Sequence, residues 1–182
     1  LLKDGTLPAD VRCKTANNFG ILQAHRGRFQ EALDLFDVAN RAAEQVSPTY
    51  VAFVAENRAW VTVLAGFLAD GVAQFDAARA MFEKLGLPPG ELFMEYSDAL
   101  MQLRLLPEAL EHAREAVLIL DSHGVELMTA AARLNVAWLA LLSNQLDEAV
   151  ADAELARESF RRQDRAWGLA WATLMGLEYL LR

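Results

Sequence analysis

The chain has 182 residues, the size of one ordinary domain, and 54% of them are hydrophobic, enough to fill a sizeable core. Its 17 Lys and Arg against 25 Asp and Glu leave a formal net charge of −8, which argues against binding nucleic acid by neutralising phosphates. Cys13 is the single cysteine, which excludes an intrachain disulfide and suits a cytoplasmic chain. The longest apolar stretch, Trp60 to Ala69, falls far short of the roughly 20 residues a membrane span needs, so no membrane insertion is expected.

The start Leu1-Leu2-Lys3, with no methionine and no signal-like apolar region, reads as a soluble piece cut from a longer protein. Alanine is abundant and apolar residues return every three or four positions, so almost the whole chain is expected to be helical. Internal repetition divides it into hairpins over 9–46, 48–86, 90–121 and 125–163, with a terminal helix over 165–181. Together they make one helical-repeat domain over 1–182.

The first hairpin carries Asn17-Asn18-Phe19-Gly20, then Gly27 at its turn, Phe29, Glu31-Ala32-Leu33, Phe36 and Ala39. Ser47-Pro48 caps and begins the next long helix, which Asp70-Gly71 is expected to end. A shift of 46 residues places Gly66, Phe75, Ala78 and Phe82 on Gly20, Phe29, Ala32 and Phe36. The run Gly86-Leu87-Pro88-Pro89-Gly90 separates the second hairpin from the third. A further shift of 31 brings Ser97, Leu106 and Ala109 into the same places, with Pro107 in a first helical turn. Beyond Ser122-His123-Gly124, another shift of 40 brings Ala137, Leu146 and Ala149. Small residues in both helices of each pair permit close approach. Phe29, Phe75, Leu106 and Leu146 are expected near the turns, and Phe36 and Phe82 in the stack. In the terminal helix Trp167, Trp171, Leu174 and Leu177 form a stripe that needs cover, and a second copy of the chain could supply it.

No chemistry is legible. His25 lies near a turn, His112 on a charged helical face and His123 in a loop, and none joins a metal-ligand pattern. Cys13 precedes a packed aromatic repeat and suits a buried apolar role. No serine stands in a nucleophile-elbow context and no glycine loop cradles phosphate, so no enzyme activity, metal or cofactor is expected. The segment Arg157-Glu158-Ser159-Phe160-Arg161-Arg162 is locally basic, yet Glu154, Glu158 and Asp164 make it a mixed-charge helix end rather than a nucleic-acid contact.

The block Asn18-Phe19-Gly20, Gly27, Phe29, Glu31-Ala32-Leu33, Phe36 and Ala39 resembles a tetratricopeptide repeat, and the likeness extends over roughly 12–181. It implies an all-α, right-handed solenoid of antiparallel helix pairs, a tetratricopeptide-like superhelix. The repeat starts, spaced 46, 31 and 40 residues apart, depart from the usual length of about 34. A narrower resemblance rests on Leu85-Gly86-Leu87-Pro88-Pro89-Gly90-Glu91-Leu92, Ala109-Leu110-Glu111-His112-Ala113, Ala156-Arg157-Glu158-Ser159-Phe160-Arg161-Arg162-Gln163 and Ala166-Trp167. These are similar to the helical-repeat region of actinobacterial proteins that carry a C-terminal caspase-like CHAT domain.

The resemblance implies a noncatalytic protein-interaction or scaffolding region whose first helices line a concave groove for a peptide or protein. Residue by residue it puts Lys14, Asn17, Ile21 and Ala24 there from the first unit, and Trp60, Val63, Phe67 and Asp70 from the second. The third unit supplies Glu91, Met94, Asp98 and Met101, and the fourth Ala131, Leu134, Trp138 and Leu141. Asn17, Trp60, Phe67, Asp70, Glu91, Met94, Glu95, Asp98 and Trp138 are the candidate binding residues. Glu91 and Glu95 replace the amide or cation with which related proteins grip a terminal carboxylate, so a neutral or basic ligand is expected beside Asp70, Glu91, Glu95 and Asp98. The alternative is an intramolecular region that regulates, or recruits substrate to, a C-terminal CHAT protease domain outside this sequence.

Overall fold

A computed structural model describes residues 7–180, with side chains through 176. The start at Leu1 and the expected stripe residue Leu177 lie outside the described side chains. Among the described residues there are nine helices and no strand: α1 (Ala9–His25), α2 (Phe29–Ala43), α3 (Pro48–Leu64), α4 (Leu68–Leu85), α5 (Gly90–Gln102), α6 (Leu106–Ser122), α7 (Glu126–Leu142), α8 (Leu146–Arg162) and α9 (Ala166–Leu180). Two compact units divide the chain, Leu1–Pro88 with α1 to α4 and Pro89–Arg182 with α5 to α9. Within them the pairs α1·α2, α3·α4, α5·α6 and α7·α8 pack most extensively.

One turn design recurs. The residue two places after each of six helices takes a left-handed backbone: Gly27 at φ 72°, Gly66 at 91°, Arg104 at 62°, Gly124 at 67°, Asn144 at 58° and Asp164 at 53°. The next amide then bonds five residues back, as in Arg28 N–H to the Gln23 carbonyl at 2.9 Å and Gln145 N–H to that of Ala140 at 2.8 Å. That closure satisfies carbonyls which a helix C-terminus otherwise leaves unpaired. Ser47 is a side-chain cap, its hydroxyl accepting from the Tyr50 amide at 3.5 Å with Pro48 opening α3.

These turns correct the expected frame of the second hairpin. Gly66 matches Gly27 in its turn, not Gly20 inside a helix, and it has no atom near the position of a Cβ. α3 ends at Leu64, and Asp70-Gly71 belongs to the first turn of α4 instead of closing α3. The close approach is made by Gly71, where a Cβ would overlap Val63 Cγ2 and lie 3.3 Å from the Ala59 carbonyl oxygen. Phe75 accordingly takes the place of Phe36, fully buried, and not the crevice near the turn. The starts of the second helices, Phe29, Leu68, Leu106 and Leu146, are 39, 38 and 40 residues apart.

The first unit's core gathers Phe36, Phe75, Phe82, Val61 and Val63 against fully buried alanines at 32, 39, 59 and 78. Gly20 belongs to it, since a Cβ there would stand 2.9 Å from Phe36 Cζ. The second unit's core is Leu92, Leu110, Val136, Leu139, Leu141 and Phe160 with alanines at 109, 113, 116, 137 and 156. Alanine lets helix axes approach while the larger side chains interdigitate, which fills the interior near crystal density.

Candidate functional site

In an antiparallel pair the second helix covers one side of the first and leaves the other open. α1 and α3 are the first helices of the first unit and pack on each other. A cavity of about 310 Å³ lies there, lined by Cys13, Lys14, Asn17 and Asn18 from α1 and Thr49, Tyr50, Phe53 and Val54 from α3. Asn17 Oδ1 accepts from Asn57 Nδ2 at 3.4 Å. The Lys14 ammonium sits 5.6 Å from the Tyr50 ring centroid, and its hydrogen bond to that side chain raises its pKa. Cys13 is 2% exposed, and burial pushes its thiol up, which withholds the reactive thiolate. A second cavity of about 390 Å³, walled by Val51, Met81 and Leu85, carries the exposed Glu44 and Lys84.

Of the residues expected in this unit's groove, Asn17 and Trp60 stand on the first helices. Trp60 is half-buried, packs on the core and tilts against His25 with ring centroids 5.3 Å apart. Phe67 and Asp70 do not stand there. Phe67 is in the α3–α4 turn, 56% exposed, and Asp70 is exposed in the first turn of α4. The step of 39 residues from Gly27 to Gly66 puts Phe53, the buried Glu56, Trp60 and the buried Val63 in the places of Lys14, Asn17, Ile21 and Ala24. Sequence reasoning therefore missed Phe53 and Tyr50, although the spacing of the two turn glycines carried the signal.

In the second unit α5, α7 and α9 are neighbouring first helices. On α5, Glu91 is exposed and Met94, Glu95 and Asp98 are half-buried, and on α7 Leu134 and Trp138 are half-buried. Asn135 Nδ2 donates to Asp98 Oδ1 at 3.0 Å and ties the two helices together. Partial removal from water pushes the Asp98 carboxyl up to about 6. Leu141, expected in the groove, is instead buried in the core. The 40-residue step from Gly124 to Asp164 places Trp171 and Leu174 of α9 where α7 has Ala131 and Leu134. These two, 42% and 43% exposed, thus continue the first-helix face, while Trp167 beyond them is 73% exposed with its ring 6.0 Å from that of Trp171.

His112 is not on a charged face. It stacks on Tyr96 and Phe93 of α5, with centroids 4.9 and 5.2 Å away, and its Nδ1 lies 3.6 Å from Glu115. Among the described residues no group of three or more His, Cys, Asp or Glu could hold a metal ion, and no helix is long and apolar enough to cross a membrane. In the basic segment of α8, Arg157 pairs with Glu154 and Arg161 with Glu158, both at 2.5 Å.

No family model matches the chain, and no curated protein matches it by sequence. Solved structures do match it. BtubC (BKLC) from P. vanneervenii is 15% identical, with a TM-score of 0.74 over 94% of this chain and 77% of that one. A point variant of a putative kinesin light chain from Podosopora anserina, with nearly identical TPR-like repeats, is 17% identical, with a TM-score of 0.71 over 94% and 88%. YrrB, a TPR protein with an unusual peptide-binding site, is 16% identical, with a TM-score of 0.54 over 90% and 84%. At such identities the likeness speaks to the fold alone, and on that point it agrees with the turns and helix pairs above: the chain has an all-α, tetratricopeptide-like solenoid fold.

Proposed function

We propose that this chain is a noncatalytic protein-interaction region, a cytoplasmic scaffold that binds a peptide or protein segment on its first-helix faces. The observation that carries the reading is the face of the second unit, where the Asp98–Asn135 pair, Trp138, Trp171 and Leu174 set one polar clasp among apolar anchors. Aromatic anchors around a small number of placed polar groups are the usual make-up of a peptide groove. A peptide-binding site in YrrB, which shares the fold, supports the same reading. Asn17 and Trp60, together with Glu91, Met94, Glu95, Asp98 and Trp138, are the contacts we propose, with Phe67 and Asp70 as outer contacts at the helix end. We propose as well that residues 1–182 act as one helical-repeat domain.

The test is panning of a random peptide library on the full chain. Enriched peptides are expected to lose at least tenfold in affinity on Trp138→Ala, with helicity retained by circular dichroism. Absence of any enriched peptide would overturn the reading. If the parent polypeptide carries the CHAT protease domain that the resemblance implies, that domain occupies the same face, and the parent binds the enriched peptides more weakly than the 182-residue chain does. Equal affinity of the two removes the intramolecular version.

A further inference from the structure

We propose that the first-helix face of the second unit selects a segment that delivers a cationic side chain, arginine or lysine, to Asp98 while its apolar neighbours cover Trp138. The inference rests on the binding reading above and adds the chemistry of the partner.

Charge distribution is the first ground. α5 carries Glu91, Glu95 and Asp98 with no Lys or Arg, and α9 has no Lys or Arg either. The one cation on these three helices, Arg133 of α7, is taken by Asp152 of α8 at 2.8 Å. The face therefore carries carboxylates, Asp98 among them, and no free positive charge from its own helices. The first helices of the other unit differ, with Arg12, Lys14 and Arg58 against Asp10 and Glu56.

Geometry is the second ground. Asp98 is half-buried, and among the described residues its hydrogen-bond partner is the neutral Asn135 amide on Oδ1, so Oδ2 is left to a ligand. The helix packed behind α5 brings no free cation to it, since His112 of α6 is turned to Phe93 and Tyr96 and Arg114 is held by Glu148 and Gln145. From α7 comes the Asn135 amide. A carboxylate partly stripped of water and held by a neutral donor gains most from an arriving cation, whose charge offsets the lost hydration. Trp138 stands one turn beyond Asn135 on α7, and Met94 one turn before Asp98 on α5. An arginine or lysine stem can lie along these side chains with its head at the Asp98 carboxylate. The raised Asp98 pKa agrees: below pH of about 6 the carboxyl is protonated and a cation gains nothing from it.

The peptides enriched on the full chain at pH 7.5 decide the matter. Each is expected to contain an arginine or lysine whose replacement by citrulline or glutamine costs tenfold or more. Asp98→Asn should cost as much for the cationic peptide and nothing further for the citrulline one, the signature of direct coupling. Affinity should fall roughly tenfold between pH 7.5 and 5, following a carboxyl that titrates near 6, and should be flat across that range in Asp98→Asn. Peptides that bind without a cationic residue, or that keep their affinity for folded Asp98→Asn, overturn this inference and leave the binding reading standing. An empty selection overturns both.

Discussion

Asp98 carries an energetic cost that depends on pH. Its carboxyl, pushed by burial from the ordinary 3.8 to about 6, holds a proton more tightly folded than unfolded. The contribution to stability is fully present below about pH 4 and is lost as pH rises through 6, where the folded chain must carry a half-buried charge. Asp98→Asn removes that charge, so it should stabilise the chain by about 1–2 kcal/mol at pH 7.5 and by much less at pH 4, read as the shift in urea midpoint. The same variant should lose cationic peptides, a trade between stability and function. Asp98 and Trp138 were singled out in the sequence because the resemblance to a tetratricopeptide repeat puts their positions on the first helices of their pairs. Asn135 was not, because its partner lies 37 residues away on another helix.

At the scale of the helix pair, the turn decides the register. Arg104 occupies the left-handed position that Gly27 and Gly66 fill without strain, and it is exposed. Arg104→Gly should therefore raise stability by about 0.5–1 kcal/mol in thermal unfolding, since only glycine takes that backbone without a steric cost. Gly71 is the converse case. Its Cβ would overlap Val63 where α4 crosses α3, so Gly71→Ala should cost about 1–3 kcal/mol in the same assay. The pair also explains the slip in reading the second hairpin. Seven residues are nearly two helical turns, so small and aromatic side chains displaced by seven fall on the same face, and pattern alone accepts either frame. Gly66 could be read as a packing glycine or a turn glycine, and its φ of 91° settles which.

For the molecule as a whole, repeat architecture leaves apolar surface at terminal helices, since each pair is covered by its neighbours. α1 exposes Val11, Phe19 and Leu22, and α9 exposes Trp167, Trp171 and Leu174. We expect the chain to self-associate with concentration through the α9 patch. Sedimentation velocity should show the average mass rising with loading for the wild type and staying at the monomer value for Trp167→Gln with Trp171→Gln. A cationic peptide bound beside Trp138 should shift the wild type the same way, because Trp171 continues that face.

The all-helical class and the pairing of helices were written in local terms. A period near 3.6, alanines where helices touch, and Gly or Pro at breaks act within one or two turns of the chain, so a reader of the sequence can recover them. Asp98 meeting Asn135, Trp171 prolonging the face of Leu134, His112 turning from a charged helix to the rings of α5, and Glu56 lying buried all depend on which residues distant in sequence become neighbours. Those neighbours set hydration and partnership, and with them whether a side chain is core, clasp or open surface.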